Sequence, residues 1–83
     1  MMQAFVLIKV VQSESNPDLD FMKSVERRIA EIKGVKDVKG VFGLYDFVAI
    51  VEAQTPEELG TLVTQTMRNV KGVAQTETMV VGF

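Results

Sequence analysis

Phe5-Val6-Leu7-Ile8 recurs as Phe47-Val48-Ala49-Ile50, and Ile32-Lys33-Gly34-Val35 recurs in the same order as Val70-Lys71-Gly72-Val73. A strand-helix-strand unit used twice leaves this trace. The first unit is longer than the second, and its surplus falls in the Ser/Asn/Pro/Asp-rich stretch 12–20, which reads as loop. Doubling a β-α-β unit predicts the order βαββαβ, an α+β ferredoxin-like arrangement in which two helices cover one face of a four-stranded antiparallel sheet. At 83 residues the sequence reads as a single unit over 1–83, small enough to bury only about 60% of its unfolded surface, so self-association is expected to add stability.

The second helix has the better-marked start. Thr55-Pro56-Glu57-Glu58 sets a hydroxyl at the N-cap, proline at the first helical position and two carboxylates in the first turn, a capping box that answers both the orphan N–H groups and the helix dipole. Leu59, Leu62, Val63, Met67 and Val70 then form one apolar stripe, with Gly72 just beyond as a left-handed terminator. Asn16-Pro17 opens the first helix, Phe21, Val25, Ile29 and Ile32 form its stripe, and Gly34 ends it.

The strands break the usual rule that an antiparallel sheet with one covered face turns its other face polar. Ala4, Val6, Ile8 and Val10 alternate with Phe5, Leu7 and Val11, leaving Lys9 the only charge, and Val48 and Ile50 alternate with Phe47, Ala49, Val51 and Ala53. The last strand sets Met79, Val81 and Phe83 opposite Val80. An apolar outer face of this kind needs a cover, and a second copy packed sheet to sheet is the simplest one. A homodimer of the dimeric α/β-barrel type is the expectation.

Chemistry is narrowed by what the chain lacks. It has no histidine and no cysteine, which removes the side chain best suited to proton transfer near neutrality, the strongest nucleophile, and the usual ligands of zinc, iron-sulfur and haem centres. The acidic residues are dispersed, and Glu57-Glu58 is accounted for by the helix start, as Asp18 and Asp20 are by a loop and helix-start context. No glycine loop has phosphate-binding spacing. The sequence argues for a non-enzyme without a cofactor. Nine basic and eleven acidic residues give a net charge of −2, with the basic ones scattered, so direct DNA binding is not expected. The opening apolar run is too short for a signal peptide or membrane span, and cytoplasm is the default location.

One loop remains, from Lys39 to Phe47. Gly43 can adopt positive φ and expose its backbone, and Asp46 stands at the mouth of the third strand, where a carboxylate could receive a ligand ammonium. Read as structure alone, the same residues make a good hairpin turn with Asp46 satisfying backbone donors. The spacing of Phe42, Tyr45 and Phe47 also faintly echoes the aromatic strand of RNA-recognition motifs, in the wrong register.

Val38-x-x-x-x-Gly43-x-Tyr45-Asp46-Phe47, Thr55-Pro56-Glu57-Glu58-Leu59 and Gly72-Val73-x-x-Thr76-x-Thr78-x-Val80-Val81 together resemble the effector-binding half, or RAM domain, of the leucine-responsive/asparagine regulator (Lrp/AsnC) family. The resemblance spans essentially the whole chain. It implies sheet-paired dimers that assemble into rings, with small effectors, mostly amino acids, bound in clefts between dimers. Carried over, it marks Gly43, Leu44, Tyr45, Asp46, Thr76 and Thr78 as ligand-binding. The family's amino-terminal helix-turn-helix has no counterpart before the first strand, which implies a stand-alone effector module that senses an amino acid or joins full-length regulators. The alternatives are an ACT-like regulatory subunit and a cofactor-free dimeric α/β-barrel oxygenase or isomerase.

Overall fold

The computed structural model describes residues 1–11 and 19–82. Its elements run β1 (Met2–Val10), α1 (Leu19–Ala30), β2 (Val35–Gly40), β3 (Phe47–Ala53), α2 (Pro56–Thr61), a π-helical continuation (Leu62–Met67) and β4 (Val73–Val80). The sheet order is β2-β3-β1-β4, antiparallel throughout, so the two repeats interleave as the βαββαβ reading requires.

Alternation along the strands sorts the side chains into two layers. Ala4, Val6, Ile8 and Val10 of β1 and Phe47, Ala49, Val51 and Ala53 of β3 are buried beneath the helices. Val25 and Ile29 of α1 and Leu59, Leu62, Val63 and Met67 meet them from above. The opposite face carries Phe5 across from Ile50 and Met79, and Leu7 across from Val48 and Glu77. Phe5 and Met79 are 37% and 46% exposed. The apolar second face is therefore present in the protomer, bordered by Lys9, Glu52 and Glu77.

Thr55 caps α2 as expected, its hydroxyl accepting the Glu58 N–H at 3.1 Å. The helix beyond differs from the continuous α-helix the stripe predicts. After Thr61 it widens, and the Arg68 N–H reaches back five residues to the Val63 carbonyl at 3.1 Å. The widening has a packing cause. Leu62, Val63 and Met67 are all buried, and an ordinary α-turn would swing residues five apart well off a common face, whereas the wider turn keeps Leu62 and Met67 over the sheet.

Gly34 and Gly72 have φ of +101° and +105°, as expected of left-handed helix terminators. Two expectations were less well placed. Leu19 and Asp20, read as loop, already belong to α1, and β4 ends at Val80, although the Val81 N–H still pairs with the Gln3 carbonyl at 2.8 Å. The Asn16-Pro17 start, Asp18 and Phe83 lie outside the described residues. Among the described residues no helix is long and apolar enough to cross a membrane.

Candidate functional site

The loop between β2 and β3 is pinned from several directions. β1 and β3 pair as far as Ile8 opposite Phe47, and the Asp46 N–H extends the ladder to the Ile8 carbonyl at 2.9 Å. At the next step of the ladder, β1 is met by a side chain. The Asp46 Oδ2 accepts the Val10 N–H at 2.8 Å, and the carboxylate stands in for the missing strand carbonyl. The Val41 N–H closes the loop on the Asp46 carbonyl at 2.9 Å. Asp46 thus fulfils the structural reading of the sequence, and it does so at a half-buried position where an unmet backbone donor is costly.

Two further contacts press the loop toward the open sheet face. The Lys9 ammonium donates to the Leu44 carbonyl at 3.1 Å, and the Tyr45 hydroxyl donates to Glu77 Oε2 at 2.6 Å. Both partners stand on the same sheet face as Phe5 and Leu7. Gly43 takes φ +127° with no atom within 4 Å of where a Cβ would sit, so only the backbone conformation demands glycine there. The loop is left with a shaped backbone and three exposed apolar side chains, Val41, Phe42 and Leu44. Phe42 projects from the loop and Phe47 is buried beneath the helices, which ends the resemblance to an RNA-binding aromatic strand.

The hydrogen bond from Tyr45 to Glu77, reinforced by the carboxylate's charge, holds the phenol above its ordinary value of 10.0. The proton is stabilised in the folded state, so this contact supports the fold below the ordinary phenol range and is lost as the pH climbs through the raised value. Glu77→Gln is expected to return the Tyr45 midpoint toward that of free tyrosine, read from phenolate absorbance. Tyr45 is the only tyrosine in the chain, so the titration is unambiguous.

Thr76 and Thr78 lie elsewhere. They pair with Ile8 and Val6 and therefore point to the helix-covered face, opposite Glu77. Thr76 is 9% exposed, and its hydroxyl accepts from Arg68 Nε at 3.1 Å. Within one protomer the six residues marked by the sequence split into a loop group, Gly43 to Asp46, and a pair on the other side of the sheet. Within a single protomer the two groups lie on opposite sides of the sheet, because adjacent strand residues face opposite ways, and the expected cleft between dimers would draw them from different subunits. Sequence reasoning missed Glu77 and Arg68 as partners. Lys9 carried a legible signal as the lone charge in an apolar strand.

The family model described as the Lrp/AsnC ligand binding domain matches residues 3–82. Over 78 residues the chain is 42% identical to an uncharacterized HTH-type transcriptional regulator of Pyrococcus furiosus, covering 93% of this chain and 49% of that protein. The chain thus spans about half the length of the curated regulators it matches. It is also 41% identical over 71 residues to a homocitrate synthase of Sulfurisphaera tokodaii, covering 86% of this chain but 15% of that enzyme. Among solved structures, a Thermus thermophilus protein superposes with a TM-score of 0.82 at 36% identity, covering 100% of this chain and 95% of that one. A feast or famine regulatory protein of M. tuberculosis complexed with L-methionine superposes at 0.77 with 25% identity, covering 98% of this chain and 50% of the other.

Proposed function

The chain belongs to the Lrp/AsnC ligand-binding domain family, and from that premise we propose that it is a non-catalytic regulatory module, acting as one unit over 1–83, which binds an amino acid at the seams of an oligomer. The observation that carries this reading is the pinned loop Val41 to Asp46 at the rim of an exposed apolar sheet face. A loop held in one conformation before binding loses little entropy when a ligand arrives, and a site at the rim of an interface is completed by a neighbouring subunit.

The dimer forms by burying Phe5, Leu7, Val48, Ile50 and Met79 against the same face of a second copy, and dimers join further through loop tips bearing Phe42 and Leu44. In this assembly Asp46 receives the effector's ammonium, and the backbone N–H groups around Gly43 and Leu44 its carboxylate. Tyr45, held by Glu77, forms a wall of the site. The L-methionine bound by the M. tuberculosis protein supports an amino acid as the effector class. The module then acts in the cytoplasm on transcription regulators of its own family, through mixed oligomers, without touching DNA itself and without a cofactor.

A second reading has its own support. The similarity to a short part of homocitrate synthase favours a module that reports amino-acid levels to an enzyme, as an ACT-like regulatory subunit would. Both readings share one test, a thermal-shift panel of the twenty amino acids run beside light scattering. One or a few amino acids are expected to raise the melting temperature and change the oligomer distribution, and Ile50→Lys is expected to yield monomers that no longer respond. A compact wild-type monomer indifferent to all twenty would end the proposal.

A further inference from the structure

The root and the tip of the β2–β3 loop are held by different means. At the root, the Val41 N–H donates to the Asp46 carbonyl and the Val10 N–H to the Asp46 carboxylate, bonds that continue the sheet itself and stand whatever covers its outer face. At the tip, Leu44 and Tyr45 are met from outside the loop by two charged side chains. The Lys9 ammonium donates to the Leu44 carbonyl at 3.1 Å, and the Tyr45 hydroxyl donates to Glu77 Oε2 at 2.6 Å. The tip therefore reaches across β1 to β4.

Lys9 and Glu77 have an alternative that they do not take. Lys9 stands opposite Gln75 and Leu7 opposite Glu77, so the two charges are diagonal neighbours on the outer face, about 7–8 Å apart at the backbone and within reach of each other for side chains of this length. Neither forms an ion pair among the described residues, and each is turned to the loop instead. Both bonds lie at the surface, where water competes and the net contribution of a hydrogen bond is small. The same two side chains border the apolar face of Phe5, Leu7 and Met79. Removing water from that border lowers the local dielectric and strengthens hydrogen bonds to charged groups. We infer that Lys9 and Glu77 are positioning residues of the ligand loop, through which a second copy covering the sheet face fixes the Leu44–Tyr45 tip in its binding shape. The inference rests on the dimer and the loop site proposed above and supplies the link between them. The tip is loose in the lone protomer and shaped in the dimer, so an amino acid taken by the loop binds the dimer more tightly.

The test is backbone NMR relaxation of the wild-type protein beside Ile50→Lys, Lys9→Met and Glu77→Leu, with calorimetric titration of the same proteins by each of the twenty amino acids. The Leu44 and Tyr45 amides of the wild-type dimer are expected at the order parameter of rigid backbone, about 0.85, and to fall to about 0.6 in the Ile50→Lys monomer, although that substitution touches neither bond. Lys9→Met and Glu77→Leu should loosen the same two amides within an intact dimer, leave those of Val41 and Asp46 unchanged, and weaken whichever amino acid the wild type binds by about three- to tenfold. Lys9→Arg and Glu77→Gln, which keep a donor and an acceptor, should recover most of the rigidity. A tip unchanged by Lys9→Met and Glu77→Leu, a tip as rigid in the Ile50→Lys monomer as in the wild-type dimer, an equal loosening in Lys23→Gln on α1, or a wild type that stays monomeric would each overturn the inference. A tip that behaves as expected while none of the twenty binds removes the amino-acid reading alone, and an amino acid bound equally by the wild type and Lys9→Met removes the positioning role alone.

Discussion

Gly72→Ala is expected to lower the melting temperature by roughly 8–40 °C, a domain of this size losing about 4–8 °C per kcal/mol. Two independent costs add at this position. The backbone sits at φ +105°, where a Cβ carries a penalty of about 1–2 kcal/mol. An added Cβ would also lie 2.8 Å from Phe21 Cζ and 2.9 Å from Val25 Cγ2, and overpacking of this kind costs about 1–3 kcal/mol. Val25 is buried and Phe21 packs against the core, so neither can yield without disturbing α1. Gly43→Ala makes the control. It meets the backbone penalty without any clash, and thermal denaturation of the two variants side by side should separate strain from packing. Similar losses in both would show that the close approach to α1 is unimportant.

Asp46→Ala is expected to have two effects that Asp46→Asn separates. Alanine leaves the half-buried Val10 N–H without its acceptor, and an orphaned donor costs about 1–3 kcal/mol, a fall of roughly 5–20 °C. Asparagine keeps an oxygen for Val10 while losing the charge. It should therefore recover most of the stability yet still fail to respond to the amino acid that stabilises the wild type. An asparagine variant with the full wild-type response would show that no charge at Asp46 is needed for the effector, leaving the residue a structural clamp.

These two positions also show how differently residues disclose their roles. Gly72 was legible as a helix terminator because an apolar stripe ended just before it, and that is a local fact of spacing. Its contact with Phe21 and Val25 was not legible, since those residues are distant in sequence and meet it only when α1 packs beside the end of the second helix. Asp46 was open to two readings for the same reason. Whether its carboxylate faces a ligand or a backbone donor depends on where β1 ends relative to β3, a matter of register between strands far apart in sequence.

The local pattern of residues by itself determined the βαββαβ order, the start of the second helix, the glycine stops of both helices and the existence of two apolar sheet faces, because periodicity and capping are properties of neighbouring residues. Only the tertiary structure decided which sheet face the helices cover, where the second helix widens, and that Thr76 and Thr78 lie across the sheet from Tyr45. Those outcomes arise from close packing among side chains brought together by folding. The widened turn keeps Leu62 and Met67 over the sheet together, and in doing so leaves Arg68 beside Thr76, a meeting that no local pattern of residues announces.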